Sequence, residues 1–175
     1  RYGRLAFRHS TSHLMAQAVQ RLYPEARLAI GPAIKEGFYY DIDFGDTVLT
    51  DEDLPKIEAE MKKIVKENPD ITRFTKSRED AIAFFKEKQE PYKVELIEDL
   101  PEDAVISFYQ QGDWVDLCAG PHLMNFHGIK AIKLTSLAGA YWRGDEHNKM
   151  LTRIYGTSFP KQSMPVSYTH LRAHE

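Results

Sequence analysis

Between Arg8 and Tyr23, Leu14, Met15, Ala18, Val19 and Leu22 recur at the three- and four-residue spacing of one helix face, and Pro24 closes the segment. The pattern predicts an amphipathic helix. Two β-rich runs follow, Arg27–Ile30 and Gly37–Asp43, with Gly31 and Pro32 between them, which predicts two strands around a turn or short loop. From Asp51 to Asn68 a second helix is predicted, with Leu54, Ile57, Met61, Ile64 and Val65 inward and Pro69 as its stop; Pro55 blurs its start. Ser77 and Asp80 form a capping-box pattern that opens a third helix reaching Lys88, with Ala81, Ile82 and Phe85 inward and Phe84 on its flank. From Lys93 to Tyr155 the chain supplies strand-like runs at Val105–Tyr109, Asp113–Leu117, Lys130–Leu134, Ala140–Arg143 and Leu151–Ile154. Helices early and strands late predict an α+β fold, an antiparallel or mixed sheet with helices packed on it.

With 175 residues, 42% of them hydrophobic, the chain can bury one sizeable core, and a single domain over residues 1–161 is expected. Gln162–Glu175 lacks periodicity and reads as an unstructured tail foreign to what precedes it. His170 and His174 stand four apart there without a supporting apolar stripe and are not taken as ligands. A formal net charge of −3 lacks the basic excess that phosphate contacts demand, so a free-standing nucleic-acid binder is excluded and any RNA affinity must come largely from elsewhere. Cys118 is the only cysteine, which excludes an internal disulfide and suits a reducing cytoplasm. No run approaches the ~18 apolar residues of a membrane span. Arg1–Arg4 lacks the apolar region of a secretory signal, so a soluble, cytoplasmic protein without membrane partners is expected. A first residue other than methionine reads as a segment of something longer.

His9 and His13 stand four apart on the first predicted helix, so their side chains project from the same face. That face, continued by Gln17 and Gln20, lies roughly opposite the apolar stripe, and the plain alternative is a solvated polar surface. Position 10 is Ser10, so the His-Glu-x-x-His helix of zinc proteases is absent. The second cluster, Asp116–His122 (DLCAGPH), follows a strand-like run, and the Gly120–Pro121 turn can fold His122 back toward Cys118. Taken singly, Cys118 reads as a small buried residue and His122 as a turn residue. Taken together, His9, His13, Cys118 and His122 form a mixed nitrogen and sulfur set that could bind zinc without requiring it. Structural zinc sites usually use at least two cysteines, so this set favours chemistry over cross-linking. Close imidazoles can also relay protons near neutral pH without metal.

These stretches have a counterpart in a known family. Arg8–Leu14 (RHSTSHL), Leu28–Pro32 (LAIGP), Gly37–Ile42 (GFYYDI), Glu90–Val94 (EPYKV), Asp116–His122, Gly139–Asp145 (GAYWRGD) and Met150–Thr157 (MLTRIYGT) occur in order. Over nearly all of residues 1–161 the chain resembles the editing domain, the second additional domain, of bacterial-type threonyl-tRNA synthetases. The histidine and cysteine motifs are shared with the alanyl-tRNA synthetase editing domain; the Gly37 and Glu90 stretches point to the threonyl branch. The resemblance implies hydrolytic removal of serine from tRNA for threonine, at a site lined by His9, His13, Lys93, Asp116, Cys118 and His122. Its partners would be the tRNA 3′ end carrying a mischarged amino acid and the remaining domains of a parent synthetase. Without the resemblance, Lys93 reads as a solvated loop lysine and Asp116 as a turn or capping carboxylate. Zinc is compatible with the alanyl-type relatives and not expected to be dependable in the threonyl branch. No P-loop is present, so ATP binding and aminoacylation are not expected of this segment. The alternatives are an alanyl-type editor releasing serine or glycine from tRNA for alanine, a non-catalytic tRNA-docking module, and a generic zinc hydrolase. Gly139–Asp145 reads as a strand ending in a turn and receives no catalytic role.

Overall fold

The computed structural model describes residues 2–120 and 122–160; Pro121 and the predicted tail Gln162–Glu175, with His170 and His174, lie outside the described residues. In chain order the elements are α1 (Tyr2–Leu22), β1 (Arg27–Leu28), β2 (Ala33–Ile34), β3 (Gly37–Asp43), a 3-10 turn (Asp51–Asp53) running into α2 (Leu54–Glu67), β4 (Ile71–Lys76), α3 (Arg78–Glu87), α4 (Pro91–Glu98), β5 (Ile106–Gln111), β6 (Trp114–Leu117), β7 (Ile129–Tyr141), a second 3-10 turn (Trp142–Gly144) and β8 (Met150–Pro160). The larger sheet runs β1-β3-β8-β7, with β2 also on β3, and the smaller runs β4-β5-β6. Every strand pair among the described residues is antiparallel, so the α+β class is as expected and the mixed-sheet option is not realised.

Helix α1 begins at Tyr2, well before Arg8. Leu14, Met15, Ala18 and Val19 are fully buried as predicted, whereas Leu22, at the helix end, is 39% exposed. The opposite face is not solvated: Ser10, His13 and Gln17 are buried as well. The apolar side of α1 packs on α2 and β3, and its polar side is satisfied by the smaller sheet. Gln111 Nε2 donates to Gln17 Oε1 at 2.9 Å, and Trp114 Nε1 donates to Gln20 Oε1 at 2.8 Å. Hydrogen bonds replace water along that face, which is what permits its burial.

Helix α2 buries Leu54, Ile57, Met61 and Ile64 and ends at Asn68, whose φ of 51° is the left-handed stop before Pro69. Ser77 caps α3 by accepting the Asp80 backbone N–H at 3.1 Å. Three elements lie outside the predicted set: β2, β4, and α4, which opens at Pro91 in the position where a missing N–H is harmless. The runs Lys130–Leu134 and Ala140–Arg143 are not separate strands. They belong to one long β7 and the turn after it, with register shifts between Ile129 and Ala131 and between Leu134 and Ser136.

Among the described residues the apolar side chains form three clusters rather than one core. The main cluster joins α1, α2 and the larger sheet. A second joins Ala81 and Phe85 of α3, Val94 and Ile97 of α4, and Ile106 and Phe108 of β5. A third, small cluster holds Ala29, Trp142 and Leu151. The helices α3 and α4 cover the smaller sheet, and α1 contacts both sheets, which places its polar face at the seam. Among the described residues no helix is long and apolar enough to cross a membrane.

Candidate active site

The seam between α1, α4 and the end of β6 encloses a cavity of about 430 Å³ lined by His9, His13, Tyr40, Lys93 and Cys118, with Ile30, Leu96 and Leu117 among its apolar walls. Four of the six residues expected at the site therefore face one space. Asp116, 1% exposed, lies behind the lining, and His122 is also outside it.

Asp116 is the hub of a buried network. Its Oδ1 is 2.8 Å from Lys93 Nζ and accepts the Leu117 backbone N–H at 2.8 Å. Its Oδ2 accepts the Tyr40 hydroxyl at 2.7 Å and lies 2.6 Å from His13 Nδ1. Lys93 Nζ donates to the Tyr40 oxygen at 2.8 Å as well. The His13 contact is short but off-axis, since neither ring nitrogen has a partner among the described residues that meets hydrogen-bond geometry, so Asp116 holds His13 by charge more than by direction. Burial alone would raise the Asp116 carboxyl, but Lys93 and His13 hold it well below the usual carboxylate range. Burial alone would lower the His13 imidazolium; Asp116 outweighs it and holds the pKa at about 9. Burial, then the Asp116 charge, pushes the Tyr40 hydroxyl well above its ordinary value, so it stays a donor. The two unaided readings of Lys93 and Asp116 are thereby corrected: Lys93 is a 3% exposed helix residue, and Asp116 neither caps a helix nor faces solvent.

Across the cavity, Cys118 Sγ lies 3.5 Å from His9 Nε2 and accepts the Gly120 backbone N–H at 3.3 Å. Gly120 has φ 87°, and a Cβ there would come within 2.9 Å of the Tyr109 hydroxyl, so the turn past Cys118 needs glycine. Burial alone would raise the Cys118 thiol, but His13 and His9 bring it down to about 6. The ring centroids of His9 and His13 are 4.7 Å apart. The ligand atoms of His9, His13 and Cys118 all lie within 4.8 Å of one another.

His122 does not join that trio. Its Nδ1 faces Ser10 Oγ at 2.9 Å and the Leu123 carbonyl at 3.0 Å, and its ring stacks on Tyr109 at 4.5 Å, while Nε2 has no hydrogen-bond partner among the described residues. Burial, then the His13 charge, pushes its pKa down to about 3. Among the described residues the converged set is thus three of the four expected ligands, and His122, whose Nε2 stays available, stands outside that radius. Two imidazoles and a thiol of lowered pKa have the donor chemistry of a zinc site of the catalytic kind, and these three residues would hold the ion.

Sequence reasoning missed Tyr40, which touches both charges of the network. Its signal was a hydroxyl within the buried aromatic run Gly37–Asp43, where an alternating burial pattern is absent because β3 is central in its sheet. It also missed Gly31, where a Cβ would meet Tyr40 Cδ2 at 2.0 Å; the missing side chain lets the Tyr40 ring stand against the loop.

The family model of the threonyl and alanyl tRNA synthetase second additional domain matches residues 106–155. Among curated relatives, a threonine–tRNA ligase of Clostridium novyi is 63% identical over 169 residues, 97% of this chain and 26% of that protein. One of Clostridium tetani is 67% identical over 166 residues, 95% of this chain and 26% of that protein. One of Acetivibrio thermocellus is 65% identical over 161 residues, 92% and 25% of the two chains. The chain thus spans about a quarter of the length of the relatives it matches. Residues 106–155 include β5, β6, Cys118 and Trp142, and the similarity to the ligases extends over 92–97% of the chain: the chain belongs to the threonyl and alanyl tRNA synthetase second additional domain family.

Proposed function

We propose that this domain proofreads aminoacyl-tRNA by hydrolysing the ester of serine wrongly attached to tRNA(Thr), beside the remaining domains of a threonyl-tRNA synthetase. The observation that carries the reading is the convergence of His9, His13, Lys93 and Cys118 on one cavity of about 430 Å³, a size typical of small-molecule sites. The physical need is specific. Serine lacks only the methyl of threonine, and a missing methyl-sized group supplies ~10–200-fold discrimination, so a second site that admits only the smaller residue is required.

The chemistry follows from charge placement. His13, with its pKa at about 9, is a cation at neutral pH and acts as an acid rather than a base. His9, beside it and less buried, positions the attacking water and takes its proton. As the water–carbon bond forms, Lys93 stabilises the developing oxyanion. The bond to the ribose oxygen then breaks, and that oxygen takes a proton from His13. Asp116 is walled off from the cavity, so it holds His13 and Lys93 in their charged forms and does not touch the substrate ammonium. Where zinc is bound, His9, His13 and Cys118 would hold it, and the ion would supply Lewis-acid polarisation.

The reading is tested by substrate profile. Purified protein incubated with Ser-tRNA(Thr), Thr-tRNA(Thr) and Ser-tRNA(Ala) is expected to discharge the first at least about tenfold faster than either other substrate. Equal discharge of Ser- and Thr-tRNA(Thr) overturns the editing reading, and preference for tRNA(Ala) moves it to the alanyl branch.

A further inference from the structure

The turn after β7 takes no part in the chemistry above, yet it packs directly behind the helix that carries Lys93. Trp142, 5% exposed, clusters with Ala29 and Leu151, and Ile30, Tyr92 and Leu96 pack against that cluster. Ile30 and Leu96 also line the cavity, so the cluster is the back of the cavity wall. The Trp142 indole Nε1 donates to Glu95 Oε2 at 3.1 Å, and its ring meets the Tyr92 ring edge-on with centroids 5.0 Å apart. Arg143 Nε lies 3.1 Å from Glu95 Oε1, and the same guanidinium pairs with Asp99. Tyr92, Glu95, Leu96 and Asp99 recur at three- and four-residue spacing, so the turn grips one side of α4 along its length.

Two features say that this grip is needed. Helix α4 has only eight residues and follows Gln89 at φ 57°, too short to hold its conformation unaided. Arg143 itself sits at φ 58°, ψ 22°, a left-handed conformation that disfavours any residue with a Cβ. Its guanidinium pairs there with Glu95 of α4 and with Asp99 just past the helix end.

We propose that Trp142 and Arg143 are positioning residues that brace α4, so that Lys93 stays on Asp116 and Tyr40 at the cavity wall; the consequence for catalysis rests on the hydrolytic reading. A displacement of about 1 Å at a catalytic group can lower a rate as much as ~100-fold, so loosening the brace acts on the chemical step rather than on tRNA binding.

The test uses Trp142→Phe, Arg143→Gly, which suits the left-handed backbone, and Glu95→Gln, whose side chain is about half exposed and safe for folding. Each is expected to lower kcat for Ser-tRNA(Thr) discharge about tenfold with KM nearly unchanged. In a Lys93→Met background the same substitutions are expected to have less than about twofold further effect. Losses that multiply in that background overturn the proposal, because they make the turn merely structural. A second readout is independent of activity: acetylation of Lys93 by a water-soluble active ester, followed by mass spectrometry. It should rise about fivefold in the variants, while labelling of Lys56 stays constant. Unchanged Lys93 labelling overturns the brace. Increased labelling in a protein whose wild type discharges no Ser-tRNA supports the brace and overturns the hydrolytic reading instead.

Discussion

Asp116→Asn isolates the charge that organises the site while keeping its shape. In the native protein this carboxylate, 1% exposed, faces Lys93 at 2.8 Å, Tyr40 at 2.7 Å and His13 at 2.6 Å. The amide leaves Lys93, 3% exposed, as a buried ammonium without a counter-charge. Removing one partner of a buried ion pair costs about 3–5 kcal/mol. His13 softens the loss, because without Asp116 burial favours its neutral form and it releases its proton. The expected destabilisation is therefore about 3 kcal/mol, a large share of the ~5–15 kcal/mol that stabilises a domain. Adding Lys93→Met removes the stranded charge and should restore about 2 kcal/mol. Urea unfolding followed by circular dichroism at neutral pH measures both, with constant m-values as the check on two-state behaviour. The His13 pKa, read by NMR, should fall from about 9 to below 6.5. A loss under about 1 kcal/mol, typical of exposed pairs, or a double variant no more stable than the single, refutes the reasoning.

Three further outcomes follow from the same contacts. The Cys118 thiol of zinc-free protein should titrate near pH 6 by ultraviolet thiolate absorbance and shift upward in His13→Ala; an unmoved midpoint contradicts the assigned cause. His122, held down to about 3, binds fewer protons folded than unfolded, so its contribution is complete above about pH 6.5 and is lost as pH falls toward 3. His122→Gln cannot protonate and should lose less stability between about pH 7 and pH 4.5 in urea unfolding; an equal loss counts against the burial argument. Gly31→Ala drives a methyl to 2.0 Å from the fully buried Tyr40 ring and should cost about 1–3 kcal/mol in thermal unfolding, where a neutral outcome shows that the ring can yield.

The legible parts of the fold were those whose signals are local. The apolar stripe through Leu14 and Val19, the inward face of α2 and the Ser77 cap are all set by spacing within one element. Helix α4 escaped because eight residues give little more than two turns of periodicity, although Pro91 marked its start. The predicted break within β7 arose because small and polar residues such as Thr135, Ser136 and Gly139 interrupt its apolar pattern on an exposed stretch. At the site, the four-residue spacing of His9 and His13 correctly put two imidazoles on one face, but no local rule reveals that the face is buried. That follows from long-range pairs such as Gln17 with Gln111, far apart in sequence. Lys93 and Asp116 owe their place entirely to tertiary contact, which is why only the family resemblance pointed to them. The same holds for His122, whose ring lies against Ser10 and Tyr109, contacts that no local spacing reveals.

The central claim is that the converged histidine, lysine and cysteine side chains hydrolyse a mischarged ester. Single-turnover discharge of Ser-tRNA(Thr) by wild type, His13→Ala and Cys118→Ala measures it most directly. Loss of the His13 acid is expected to slow discharge about 100-fold or more, with a smaller loss for Cys118→Ala and folded protein in both cases. Discharge at the wild-type rate by both variants would contradict the account.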